Sequence, residues 1–183
     1  EAEPGYDVTW PWSSGEPLEP GLTCVFRVRN EARNLPWVLP PIFSAVQHVL
    51  LVDNGSDDGT ADVARKVAEQ CGAADRLTVL HYPHRVARAG GEHLATPATS
   101  VHSLTHFYNW CFSHVRTTYS MKWDGDMVLT TEGEVSMGEL SWQVGIAAGG
   151  IRFPLPWLFL ASMCNAFLAL LLPNTVALSC TPL

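Results

Sequence analysis

The stretch "HVLLVDNGSDDGTADVARKVAEQCG", residues 48 to 72, holds an apolar strand, a turn and an amphipathic helix in immediate succession. "HVLLVD", residues 48 to 53, is short and apolar throughout, which is the pattern of a strand covered on both faces. "NGSDDGT" is turn chemistry, and Asp58, Gly59 and Thr60 predict a turn and an N-cap for the following helix. In "ADVARKVAEQCG", Ala64, Val67, Ala68 and Cys71 form one helical stripe, and Gly72 is a natural stop.

The flanking segments extend the alternation. "TCVFRV", residues 23 to 28, reads as a strand, and "NEARNLPWVLPPIFSAVQ" after it as a helix bent or interrupted by Pro40 and Pro41. "RLTVLHY", residues 76 to 82, is a third strand; residues 83 to 100 read as a loop. Residues 101 to 115 read as an aromatic-rich helix, with Phe107, Tyr108, Trp110 and Phe112 packing it on the sheet or lining a pocket. "TYSMKW", residues 118 to 123, is a fourth strand. The order β, α, β, α, β implies a parallel sheet with right-handed crossovers, whose ligands sit at the carboxyl ends of the strands.

Composition narrows the function classes. A chain of 183 residues suits one domain, and 47% hydrophobic with 16% charged residues describes a globular chain. A net charge of −7 without a Lys/Arg cluster argues against nucleic acid as a partner. Five separated cysteines with no CxxC predict reduced thiols and a cytoplasmic setting. Residues 1–22 read as an irregular arm, 23–150 as the ligand-binding domain and 151–183 as an apolar segment. Glu1 is not preceded by methionine or a basic, apolar leader, which reads as a processed product or a fragment.

With parallel strands, Asn30 and Glu31, Asp53, and Asp124 with Asp126 all fall just past strand ends, at one edge of the sheet. Gathered carboxylates are costly unless a positive charge neutralises them, and a hard divalent cation is the usual partner. Mg²⁺ or Mn²⁺ takes one or two protein carboxylates and leaves its other positions to water and phosphate oxygens. Asp124 and Asp126 are therefore expected to hold a metal beside a diphosphate.

"RVRNEARNL", "VLLVDNGSDDGTADVA" and "MKWDGDM", in that order, resemble the nucleotide-binding half of family 2 glycosyltransferases with the GT-A fold. The resemblance covers residues 23 to about 130. It implies an α/β, Rossmann-like GT-A sandwich with a mostly parallel sheet and flanking helices, incomplete at its C-terminal end. By resemblance, Asp53 meets the base or ribose of a nucleoside-diphosphate sugar, and Arg29, Asn30 and Glu31 flank the nucleoside. Asp124 and Asp126 match the DxD motif, with Asp126 on a Mn²⁺ or Mg²⁺ ion and Asp124 on ribose or metal-bound water. The implied activity is metal-assisted, inverting transfer of the sugar to a glycan or other hydroxyl acceptor, as in polysaccharide biosynthesis.

The sequence departs from that family after the acidic turn. Its remaining acids, Glu132, Glu134 and Glu139, match no catalytic motif, so no general base is assigned. Past Arg152 the chain carries no charge. Three readings of residues 153–183 stand: a membrane-associating tail, a core segment of a shortened domain, or an abnormal end in which the family's sequence is lost. Two further readings of the whole chain stand beside the transferase. One is a non-catalytic nucleotide-binding remnant. The other is a haloacid-dehalogenase-like phosphatase with Asp124 as nucleophile and Asp126 as acid and base, though that motif normally follows a domain's first strand. His81 with His84, and His102 with His106, have metal-ligand spacing but lack a third ligand, and read as partly exposed side chains. Arg85 and Arg88 read as solvated loop charges, with a phosphate contact as the alternative.

Overall fold

The computed structural model describes residues 8–130 apart from Ser14 and Glu16, so residues 131–183, and every expectation placed on them, lie outside it. Four parallel strands form one sheet in the order β3-β2-β1-β4. They are β1 (Glu19–Val28), β2 (His48–Asp53), β3 (Leu77–His81) and β4 (Thr117–Asp124). The helices are α1 (Leu35–Ala45), α2 (Thr60–Gln70), the single turn α3 (Gly91–Ala95) and α4 (Leu104–Ser113). The protein is thus a mixed α/β, Rossmann-like fold with a parallel sheet flanked by helices, as the alternation of elements requires.

Each central strand divides its side chains between two cores, since alternate residues point to opposite faces. Cys24, Phe26 and Val28 of β1 and Val49 and Leu51 of β2 pack with α1 and α2. Val25, Leu50 and Val52 pack on the other face with Tyr82, Val86, and Phe107 and Cys111 of α4. Burial on both faces accounts for the unbroken apolar run of β2. It also explains the chemistry of two thiols: burial pushes Cys24 well above its usual range and Cys111 up to about 12. Cys24, Cys71 and Cys111 are all free.

Several boundaries differ from the sequence reading. β1 starts at Glu19, so the irregular stretch ends earlier than residue 22. Pro20 and Gly21 look like turn residues, but the Glu19 N–H donates to Arg116 O and the Leu22 N–H to Gln47 Oε1, which continues the strand through an irregular step. α1 starts at Leu35 and runs without interruption past Pro40 and Pro41. An interior proline costs about 3 kcal/mol. Leu35, Val38, Leu39, Ile42 and Phe43 are at most 2% exposed, and burial contributes about 1.5–3 kcal/mol for each such side chain. The buried face therefore outweighs the two lost backbone bonds. The stop at Gly72 is as expected: at φ +63 it lets Ala73 N–H reach Ala68 O while its own N–H reaches Glu69 O, the paired bonds of a Schellman cap.

Among the described residues no helix is long and apolar enough to cross a membrane.

Candidate functional site

Register decides which residues share the carboxyl edge. Val28 of β1 pairs with Asp53 of β2, Asp53 with His81 of β3, and Arg27 of β1 with Asp124 of β4. Val28, Asp53 and His81 therefore lie in one row, with Asp124 one residue before it at the same edge of the sheet. Beside them opens a cleft of about 730 Å³, lined by Arg27, Arg29, Asn30, Asn54, Tyr108 and Asp124 among others. That volume lies in the range of small-molecule sites. A smaller cavity of about 250 Å³ lies between α2 and β3, away from this edge.

The two loops behind the cleft are bonded to each other. Asn30 stands at φ +59, a left-handed conformation that asparagine tolerates, so that its N–H donates to Ser56 Oγ and its Oδ1 accepts from Asp57 N–H. Glu31 N–H donates to Thr60 Oγ1, and Ala32 N–H to Asp58 Oδ2. Asp58 also accepts from the Thr60 hydroxyl and N–H. Those donors, the Thr60 hydroxyl first, hold the Asp58 carboxyl below its ordinary range. "NGSDDGT" thus acts as a fastener between the β1–α1 and β2–α2 loops as well as the entry to α2.

Asp53 is 8% exposed, and its Oδ1 accepts from both the N–H and the hydroxyl of Ser56. It lies behind the cleft wall, between the lining residues Val28 and Asn54. Burying a carboxylate is unfavourable unless hydrogen bonds offset the lost water, which the Ser56 turn does in part. Glu31 likewise stands next to the cleft and not in its lining. Its Oε2 accepts from Asn34 Nδ2, and its Cγ lies 2.8 Å from where a Cβ on Gly125 would be. Position 125 therefore needs a residue without a side chain.

The acidic turn closes with Met127 N–H on Asp124 O and Trp123 Nε1–H on Met127 O. This leaves Asp126 exposed at its tip. Asp124 is engaged by cations: its Oδ2 is 2.9 Å from Lys122 Nζ and its Oδ1 3.9 Å from Arg27 Nη2. The two acids therefore differ. The Asp126 carboxylate is a hard oxygen donor open to solvent and fits a divalent cation as a single protein ligand. The Asp124 oxygens face Lys122 and Arg27, so this carboxylate is already partly neutralised in this arrangement. Among the described residues no three His, Cys, Asp or Glu side chains gather as a metal site.

Arg27 and Lys122 are cleft cations that the sequence reading did not single out, whereas Tyr108 takes the pocket-lining role offered there as an alternative. Arg27 Cζ lies 3.6 Å from the Tyr108 ring centroid, and the signal for it was an arginine inside the otherwise apolar "TCVFRV". Arg88 lines the cleft, whereas Arg85 pairs with Glu92 at 2.6 Å. The histidines have other partners than those their spacing implies. His84 meets His102 edge-on at 5.9 Å between ring centres, and His102 Nδ1–H donates to Arg85 O. The Tyr82 hydroxyl sits 2.7 Å from Val101 O, which can only accept, so the hydroxyl donates there and accepts from His106 Nδ1–H at 2.8 Å. Burial, aided by His84, lowers the His106 pKa, and burial raises Tyr82 to about 12. This neutral pair pins the segment from His84 to Val101 that forms one wall of the cleft.

No protein-family model matches the chain, and no curated protein matches it. Among solved structures, residues 1–349 of S. aureus TarS align over 67% of this chain with 13% identity and a TM-score of 0.43. The mannosyltransferase PcManGT of Pyrobaculum calidifontis, in complex with GDP-Man and Mn²⁺, aligns over 72% with 20% identity and a TM-score of 0.47. The chain spans about a third of the length of either, 32% of the first and 38% of the second.

Proposed function

We propose that the protein is a glycosyltransferase that binds a nucleoside-diphosphate sugar in the cleft at the carboxyl edge and transfers the sugar to a hydroxyl acceptor, with inversion. The observation that carries this reading is the strand register, which sets the "RNE" loop, Asp53 and the DGD turn beside one cleft. The order of those three motifs in the sequence supports it independently.

The roles follow from chemistry. Arg29 and Asn30 line the cleft and hold the nucleoside from the β1 side. Asp53 supports that wall through Ser56, and it is the acid we assign to base or ribose donors at the inner edge of the cleft. Asp126 would hold a Mn²⁺ or Mg²⁺ ion, which when bound neutralises charge on the departing diphosphate. Tyr108 and Phe107 give the cleft an apolar wall. The phosphatase reading asks Asp124 to attack phosphorus from a motif that normally follows a domain's first strand, whereas here β1, β2 and β3 all precede it in the chain.

Thermal-shift titration with UDP, GDP, CDP and ADP, with and without Mn²⁺, tests the reading on the wild type and on Asp126→Ala. A ligand that binds only the folded state raises the melting temperature, by about 2.7 kcal/mol of stabilisation at a hundredfold excess over Kd. At least one nucleotide is expected to do so, with the Mn²⁺-dependent increment lost in Asp126→Ala. A folded protein that no nucleotide shifts would not be a transferase of this kind.

A further inference from the structure

The cleft is positive in a protein whose net charge is −7. Four of its lining residues, Arg27, Arg29, Arg88 and Lys122, are cations, and Asp124 is the one acid among them. Charge of that sign suits an anionic ligand, and its local excess is opposite to the protein's average.

Arg27 is the informative member. It rises from the middle strand of the sheet with its side chain only 16% exposed, and arginine is seldom so buried without a partner. The Tyr108 ring stacks beneath it at 3.6 Å. Asp124 Oδ1, at 3.9 Å, is beyond hydrogen-bonding distance. The Arg27 Nε–H is buried and has no acceptor among the described residues. A buried donor without an acceptor is uncommon, and it marks a place where an anionic oxygen would complete the structure.

Lys122 contributes the second half. Its ammonium compensates Asp124 through the other carboxylate oxygen, Oδ2, at 2.9 Å. A divalent cation approaching this carboxylate meets the like charges of both Lys122 and Arg27, whereas a phosphate meets their attraction. The internal cations thus perform part of the neutralisation that an acidic turn usually leaves to a metal.

The geometry points to a phosphate-oxygen site made by Arg27 and Lys122, with Arg29 and Arg88 at its rim, that holds the diphosphate of a nucleotide ligand without a divalent cation. It rests on the donor-binding reading above and divides the labour within it. Arg27 and Lys122 provide metal-independent affinity, and Asp126 provides whatever a cation adds.

Calorimetric titration of the full chain tests this, with UDP, GDP, CDP and ADP in EDTA, the same panel in Mn²⁺, and Mn²⁺ alone. At least one nucleotide is expected to bind the wild type in EDTA. Lys122→Gln is expected to weaken that binding by about tenfold or more, the effect of one lost charge-assisted hydrogen bond. The same variant is expected to bind Mn²⁺ alone more tightly, because the like charge beside Asp124 is gone. Misfolding would weaken both, so the opposite signs identify a charge effect. Arg27→Lys, which keeps the charge, is expected to retain more nucleotide affinity than Arg27→Gln. Wild-type binding that requires Mn²⁺ would overturn this inference and leave the donor reading standing. Absence of nucleotide binding in both buffers would overturn both.

Discussion

Phe26→Ala is expected to lower the unfolding free energy by about 3–5 kcal/mol, the usual range for truncating a buried phenylalanine. Phe26 is fully buried on the central strand β1, on the face that packs against α1 and α2. Truncation there loses apolar burial and leaves a cavity that a strand bonded on both sides cannot collapse to fill. Domains of ordinary size have about 5–15 kcal/mol of stability, so the loss is a large share of the total. Urea unfolding followed by circular dichroism measures it through the midpoint at constant slope. A change below about 1 kcal/mol would mean that β1 is not the centre of the core.

Asp53→Asn is expected to leave stability within about 1 kcal/mol of wild type yet weaken nucleoside-diphosphate binding by about tenfold or more. Asparagine keeps an oxygen that can accept from the Ser56 N–H and hydroxyl, the two bonds that Asp53 Oδ1 makes. It removes the negative charge, and charged acceptors make the stronger hydrogen bonds to a ligand's donors. Asp53→Ala should instead lose the turn as well, since Ser56 Oγ also accepts from Asn30 N–H. Parallel unfolding and binding measurements on the two variants separate the roles. Unchanged affinity in the asparagine variant would reduce Asp53 to a turn-forming residue.

The fold was largely legible because its signals are local. The unbroken apolar run of "HVLLVD", the stripe on α2 and the stop at Gly72 each follow from neighbouring residues, and the parallel order follows from their alternation. The prolines of α1 misled because the compensation lies on the sheet, across the chain. That Asp53 and Asp124 end their strands at the same edge was also legible, since strand ends align in a parallel sheet. How they are neutralised was not. The partner of Asp124 is two residues away along its own strand and again on β1, and nothing in "TYSMKWDGDM" marks Lys122 as the nearer cation. Glu31 and Asn30 looked like ligand residues, yet their first partners are Asn34, Ser56 and Asp57. The two loop-to-loop bonds of Asn30 join positions 26 and 27 residues apart and leave no periodic trace.

Mapping the ligand on the protein tests the central claim most directly. In a ¹⁵N-labelled sample titrated with the nucleoside diphosphate that gives the largest thermal shift, the amide signals of Asn30, Asn54, Ala87, Lys122 and Gly125 are expected to move together, because they surround or border one cleft. Shifts confined to Arg65, Glu69 and Val79, around the smaller cavity between α2 and β3, would place the ligand elsewhere and contradict the assignment of the carboxyl edge as the site.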